Sequence, residues 1–262
     1  MERQHPSSTR SPMPRPAVTT AVAFAPYAIV SAVHVTAQFV GAEQVGTPTK
    51  ALLMPALALA VVAVVFVGTR ATTDAAPQPA AKAPAALAYR GPVIALLLTA
   101  IALSWLGDEA GLFFPFAPTL PLMLLFFGLA HLCYIWLFWR HLAVRRVPLW
   151  ALAYAVWWVA MLGVLGAHIG GLLIAVAVYG IVLGGTAVAA SRCHPVIVWG
   201  GVFFLASDTI LAFRLFVPDA MPAWTSGAVM LTYCLGQGLL AAGVLVSERT
   251  RVARPASEAM SR

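Results

Sequence analysis

The stretch GGVFFLASDTILAF, residues 200–213, places an aspartate, Asp208, halfway along a run otherwise apolar enough to lie in a bilayer. An ionised carboxylate in hydrocarbon costs several kcal/mol, so such residues face a bundle interior and mark functional sites. A second stretch behaves alike. IALLLTAIALSWLGD, residues 94–108, carries its carboxylate, Asp108, at its end, with Glu109 directly after it. The rest of the chain reads as a scaffold for these two acids.

Composition sets the class. The 262 residues are 61% hydrophobic and 10% charged, with a mean hydropathy of +0.88, values that a water-soluble domain of this size does not sustain. The expected fold is all-α, a polytopic membrane bundle. The net charge of +7 sits in loops and tails between apolar runs, where membrane topology explains it and no nucleic-acid partner is called for. Cys133, Cys193 and Cys234 share no CxxC or metal-ligand spacing and read as packing residues, with no metal or other cofactor expected.

Eight spans follow, at residues 17–40, 50–67, 91–107, 120–139, 149–167, 170–190, 196–216 and 225–246. Each is near the roughly 20 residues a helix needs to cross the hydrocarbon core. Residues 1–16 form a disordered, proline-rich basic arm, residues 68–90 a flexible alanine- and proline-rich loop, and residues 248–262 a disordered tail. The first apolar run is of full span length, unlike the short core of a cleavable signal. With the N-terminus cytoplasmic, Arg3, Arg10, Arg15, Arg70, Lys82, Arg90, Arg140, Arg145, Arg146, Arg192, Arg249, Arg251, Arg254 and Arg262 all fall inside. These are 14 of the 16 basic residues, leaving only Lys50 and Arg214 outside. An odd span count would scramble the bias, so both termini are expected in the cytoplasm.

Helix rise then gives depths. Asp208 lies ~18 Å along the seventh span, in the outer half, and Asp108 near the outer end of the third. His131 and Tyr134 share a face of the fourth span, and Tyr233 and Gln237 a face of the eighth. Tyr27, Ser31, His34 and Gln38 draw a polar stripe along the first. These groups are expected to converge on an outer cavity. The plain alternative is that they hydrogen-bond across helix interfaces, with Asp208 paired to Lys50 or Arg214 and Glu109 an interface charge. Leu106-Gly107-Asp108 echoes Ala206-Ser207-Asp208, as a four-plus-four repeat would require.

No HExxH, GxSxG or glycine-rich phosphate loop is present, which removes zinc proteolysis, serine hydrolysis and kinase chemistry. Two facing carboxylates leave acid catalysis. One stays protonated in the low dielectric while the other orients water or steadies a developing cation, which suits an acetal, an epoxide or a vinyl ether. A proton-coupled transporter or lipid-binding protein using the same acids is the competing class.

Five pieces in order carry a resemblance: TKALLMP (49–55), SWLGD (104–108), FFGLAHLCYIWLF (126–138), GGVFFLASD (200–208, followed by TILA) and TYCLGQGLL (232–240). Together they resemble the lysoplasmalogenase, or YhhN-like, family of membrane proteins. Ala51 stands where that family usually has proline, and Gly236 where it usually has alanine. The resemblance implies hydrolysis of the vinyl ether bond of a lysoplasmalogen to a fatty aldehyde and a glycerophospho-headgroup alcohol. In it Asp208 and Asp108 would be catalytic and share the acid and base roles, which of the two is the acid being open, with depth favouring Asp208. His131, Tyr134, Tyr233 and Gln237 would position water and glycerol oxygens, and Lys50 would hold the lipid phosphate as a point charge. The partners expected are the lysophospholipid and membrane lipids. The expected location is the plasma membrane, as a multi-pass protein of a bacterial inner membrane.

Overall fold

The computed structural model describes residues 15–73 and 89–260, and among them every regular element is helical. Residues 1–14, 74–88 and 261–262, which hold most of the predicted arm, most of the predicted loop and the chain end, lie outside the described residues. Eight helices carry the fold: α1 (Arg15–Val40), α2 (Glu43–Thr73), α3 (Gly91–Asp108), α4 (Thr119–Trp136), α5 (Leu152–Ile169), α6 (Leu173–Ala190), α7 (Pro195–Phe216) and α8 (Thr225–Met260).

Seven stretches are long and apolar enough to cross a membrane, and one of them, Leu149–Ala190, has 42 residues. At 1.5 Å per residue it would run about 63 Å, twice the hydrocarbon thickness. It does not run straight. Gly170 adopts φ +63° and ψ −135°, a conformation essentially confined to glycine, and the chain reverses there so that α5 packs against α6. Gly41, at φ +71°, turns α1 into α2 in the same way. The bundle is therefore a multi-pass membrane fold of eight helices.

Helix boundaries differ from those predicted. α2 begins at Glu43, so Lys50 lies two turns inside it, and it continues through residues 68–73 of the predicted loop. α8 continues past residue 246 to Met260, where the sequence predicts a tail. The extension is anchored. Glu248, with a side chain 1% exposed, accepts from the Arg90 guanidinium at 2.5 Å and 3.0 Å and from the Arg90 backbone N–H at 3.0 Å. Arg90 also donates to the His141 carbonyl at the foot of α4, which ties three helices at one end of the bundle. Arg90→Ala is expected to lower stability by about 2–3 kcal/mol, more than Glu248→Gln, because alanine leaves a buried carboxylate unpaired whereas glutamine is neutral. Thermal melts in detergent rank the two, and equal shifts would show that water replaces the guanidinium.

Seven helices close a ring in the order α1, α2, α3, α4, α6, α7, α8, while α5 stands outside, against α6 and α7. α1 and α5, which a four-plus-four repeat would equate, are placed differently, α1 within the ring and α5 outside it. The tightest crossing is α7 on α8, in one antiparallel register. A Cβ on Gly243 would lie 2.9 Å from the Ile197 nitrogen, one on Gly200 2.8 Å from the Leu240 nitrogen, and one on Gly236 2.9 Å from the Phe204 nitrogen. Small residues let the two backbones approach, as membrane helices do when no hydrophobic force drives them together. The core buries Leu53, Leu57, Leu97, Ile101, Tyr134, Phe138 and Phe204, while Leu59, Leu132, Ile174, Val178 and Trp199 cover the outer faces.

Candidate active site

α3 ends at Asp108 because the chain turns there into a short helical turn, Ala110–Phe113. That end meets the second turn of α2, where Lys50 donates from Nζ to the Asp108 carbonyl oxygen at 2.6 Å. Gly107 is fitted under the Phe127 ring, where a Cβ would lie 2.7 Å away, so α4 packs directly beneath the aspartate. Asp208 is presented by α7 at the same level of the bundle, and both half-buried aspartates line one cavity of about 170 Å³. Lys50, Tyr179 and Tyr233 supply most of its other polar wall. Leu120, Met123, Leu124, Phe127, Leu211, Leu215 and Phe216 make the remainder apolar.

Each carboxylate is held by a tyrosine from a different helix. Tyr233 of α8 donates to Asp108 Oδ2 at 2.7 Å, and Tyr179 of α6 donates to Asp208 Oδ2 in a close contact. Among the described residues neither aspartate forms an ion pair. Arg214 is turned away, donating to Thr225 Oγ1 at 2.6 Å, and Lys50 meets the Asp108 backbone instead of a carboxylate. A narrower apolar slot continues past Tyr179 and Asp208 between α5, α6 and α7, lined by Trp157, Met161, Leu165 and Leu183.

Of the residues predicted from sequence, Asp108, Asp208, Lys50 and Tyr233 lie on the cavity. His131, Tyr134 and Gln237 are fully buried one layer behind it. Tyr134 donates to Gln237 Oε1 at 2.7 Å, and Gln237 Nε2 donates to Ser104 Oγ at 3.0 Å and to the Tyr233 hydroxyl at 3.4 Å. His131 lies between Thr186, at 3.1 Å from Nδ1, and Tyr179, at 3.4 Å from Nε2.

The polar stripe of α1 does not reach the cavity. Tyr27 donates to the Cys234 carbonyl, His34 meets Gly46 and Thr49, and Gln38 accepts from Ser226, all of them links between helices. The stripe therefore serves as glue to α2 and α8. Glu109, predicted as an interface charge, is buried at 6% exposure, and one of its oxygens has no partner. Loss of water raises its carboxyl above the usual range, with the Lys50 charge acting against the shift.

Tyr179 was not singled out from sequence. Its signal is a hydroxyl on an otherwise apolar span, two turns from Thr186, the same polar-stripe spacing that flagged α1.

The sequence profile of the YhhN family, the family of lysoplasmalogenases, matches residues 47–244. The chain belongs to the YhhN family. No curated protein and no solved structure matches the chain. The YhhN match takes in Lys50, both aspartates, Tyr179 and Tyr233 and leaves out α1, the helix whose polar groups stay away from the cavity. Among the described residues of this YhhN protein no three His, Cys, Asp or Glu side chains are grouped to hold a metal ion.

Proposed function

We propose that this protein is an enzyme that hydrolyses the vinyl ether bond of lysoplasmalogen-type lysophospholipids, releasing a fatty aldehyde and a glycerophospho-headgroup alcohol. The observation that carries this reading is the pair of carboxylates from α3 and α7 on one largely apolar cavity, in a member of the YhhN family. We place it in the plasma membrane, with the alkenyl chain along the Leu120, Leu211 and Leu215 wall and the phosphate at Lys50.

The chemistry closes on these two side chains. One carboxylic acid gives its proton to the outer alkenyl carbon, and the ether oxygen stabilises the resulting oxocarbenium ion. Water adds to the cation and passes a proton to the other carboxylate, forming a hemiacetal. That second group then protonates the departing glycerol oxygen while the first takes the hemiacetal hydroxyl proton, so aldehyde and alcohol leave and both groups return to their starting states. The carboxylate charge and the tyrosine hydroxyls are fixed before the cation forms, so little reorganisation is needed.

The test is turnover in D2O by the purified protein with a lysoplasmalogen and with its saturated-ether analogue. A single deuterium on carbon 2 of the aldehyde, from the vinyl ether alone, is expected. Intact vinyl ether from folded protein would overturn the proposal, and proton-coupled uptake of unmodified lipid into vesicles would turn it to a carrier. Lys50→Met is expected to raise KM about tenfold, more than it lowers kcat, because the lost charge binds ground state and transition state alike. Steady-state kinetics would show the opposite split if Lys50 acted mainly by placing Asp108.

A further inference from the structure

Each carboxylate accepts from a tyrosine, but the groups behind the two tyrosines differ: an amide N–H stands behind Tyr233 and an imidazole nitrogen behind Tyr179. Behind Asp108, Tyr134 gives its hydrogen to Gln237 Oε1, which orients the amide so that Nε2 points at Ser104 and at the Tyr233 oxygen. Having accepted there, Tyr233 gives its own hydrogen to Asp108. Every link points at Asp108, which ends the chain as an acceptor, the role of an ionised carboxylate.

Behind Asp208 the tyrosine has a different neighbour. The single hydrogen of Thr186 has two backbone carbonyls to go to, Val182 at 3.0 Å and His131 at 3.3 Å, which leaves its oxygen to accept from His131 Nδ1 and favours the imidazole proton there. His131 Nε2 is then a bare acceptor facing Tyr179 at 3.4 Å, in a ring with no exposure to water. Tyr179 stands between two acceptors, Nε2 and Asp208 Oδ2, with one hydrogen to give. One more proton satisfies all three groups, and its place is Asp208. With that proton in place the carboxyl would donate to the Tyr179 oxygen, and the Tyr179 hydrogen, which otherwise goes to Asp208, would turn to His131.

We propose that Tyr179 and His131 are positioning residues that hold Asp208 as the acid of the pair, while the Tyr134–Gln237–Tyr233 chain holds Asp108 as the ionised base. As Asp208 gives its proton to substrate, the Tyr179 hydroxyl turns from His131 Nε2 to the new carboxylate. No proton crosses Tyr179, which stays neutral throughout. The other ionisable or charged groups near Asp208 are Asp108 from α3, Lys50 from α2 and Tyr233 from α8. From α5, Trp157 and Trp158 line the slot beside Asp208, their indole N–H groups already given to Thr209 and to the Ala177 carbonyl. This assignment rests on the acid–base reading of the pair, and its test needs no substrate.

The measurement is the infrared band of a protonated carboxylic acid, followed against pH in the purified protein in lipid nanodiscs. At neutral pH the wild-type band is expected to be lost in Asp208→Asn and kept in Asp108→Asn. In His131→Leu the pH at which it disappears is expected to fall by about one unit, one hydrogen bond's worth, with recovery in His131→Gln, whose amide oxygen can accept. The Tyr179→Phe background is expected to abolish the His131→Leu effect. A band lost in Asp108→Asn instead, no band dependent on either aspartate, or a His131→Leu shift that persists without the Tyr179 hydroxyl would overturn the proposal. Should the band behave as expected while the vinyl ether stays intact, the acid assignment stands and the reaction assigned to it falls.

Discussion

Asp108→Asn and Asp208→Asn are each expected to lower kcat for aldehyde release at least about a thousandfold, the upper range of what positioned proton transfer contributes. Asparagine keeps the shape and still accepts from Tyr233 or Tyr179, so the fold and the cavity are retained. What it removes is the ability to give and take a proton. The proposed cycle uses each carboxyl twice, in opposite senses, and would stop if either were missing. The double variant is therefore expected to be no slower than the worse single one, the non-additivity of groups that act as a unit. Aldehyde yield from nanodisc-embedded protein, beside melting temperatures matched to wild type, makes the comparison. More than about a tenth of wild-type activity in a folded single variant would sink the paired mechanism.

Like a methyl at Gly200 or Gly243 on the same crossing, Gly236→Ala is expected to have a large effect. Its Cβ would meet the Phe204 nitrogen at 2.9 Å and the Phe204 Cα at 3.1 Å, and backbone has no rotamer by which to yield. α7 and α8 must part, at an expected cost of about 2–3 kcal/mol. The loss reaches the site, because the Phe204 ring lies edge-on to Tyr233 at 5.5 Å and to His131 at 4.8 Å. Activity is expected to fall with stability. Gly128→Ala, on α4 with open space at its Cβ, is the control and is expected to be neutral or slightly stabilising. Denaturant titration in mixed micelles gives the two values, and an unchanged midpoint for Gly236→Ala would mean that the crossing relaxes freely.

The span count and the two aspartates were legible because both are written locally, in apolar length and in the cost of a charge inside it. Asp108, Asp208, Lys50 and Tyr233 meet on one cavity because depth along a helix follows from residue count. What depth leaves open is rotation about each helix axis. His131 and Tyr134 have the expected height yet face the layer behind the cavity, and the α1 stripe faces α2 and α8. Tyr179 was passed over because a lone hydroxyl on an apolar span weighs little until its neighbours are known. The extent of α8 was misjudged for a related reason: the Glu248–Arg90 pair that anchors it joins residues 158 positions apart. Gly236, noticed only as a departure from the family's usual alanine, takes its meaning from a backbone on another helix.

The slot between α5, α6 and α7 has a kinetic meaning as well as a structural one. α5 stands outside the closed ring with Val156, Val159 and Val164 exposed on its surface, and the slot beside Asp208 lies between it and the ring, a side from which substrate would enter out of the bilayer. An amphiphile drawn from that side is encountered by diffusion within a sheet. The quantity governing occupancy is then its mole fraction among the surrounding lipids, so that inert lipid acts as a diluent even when the amount of substrate per millilitre is unchanged.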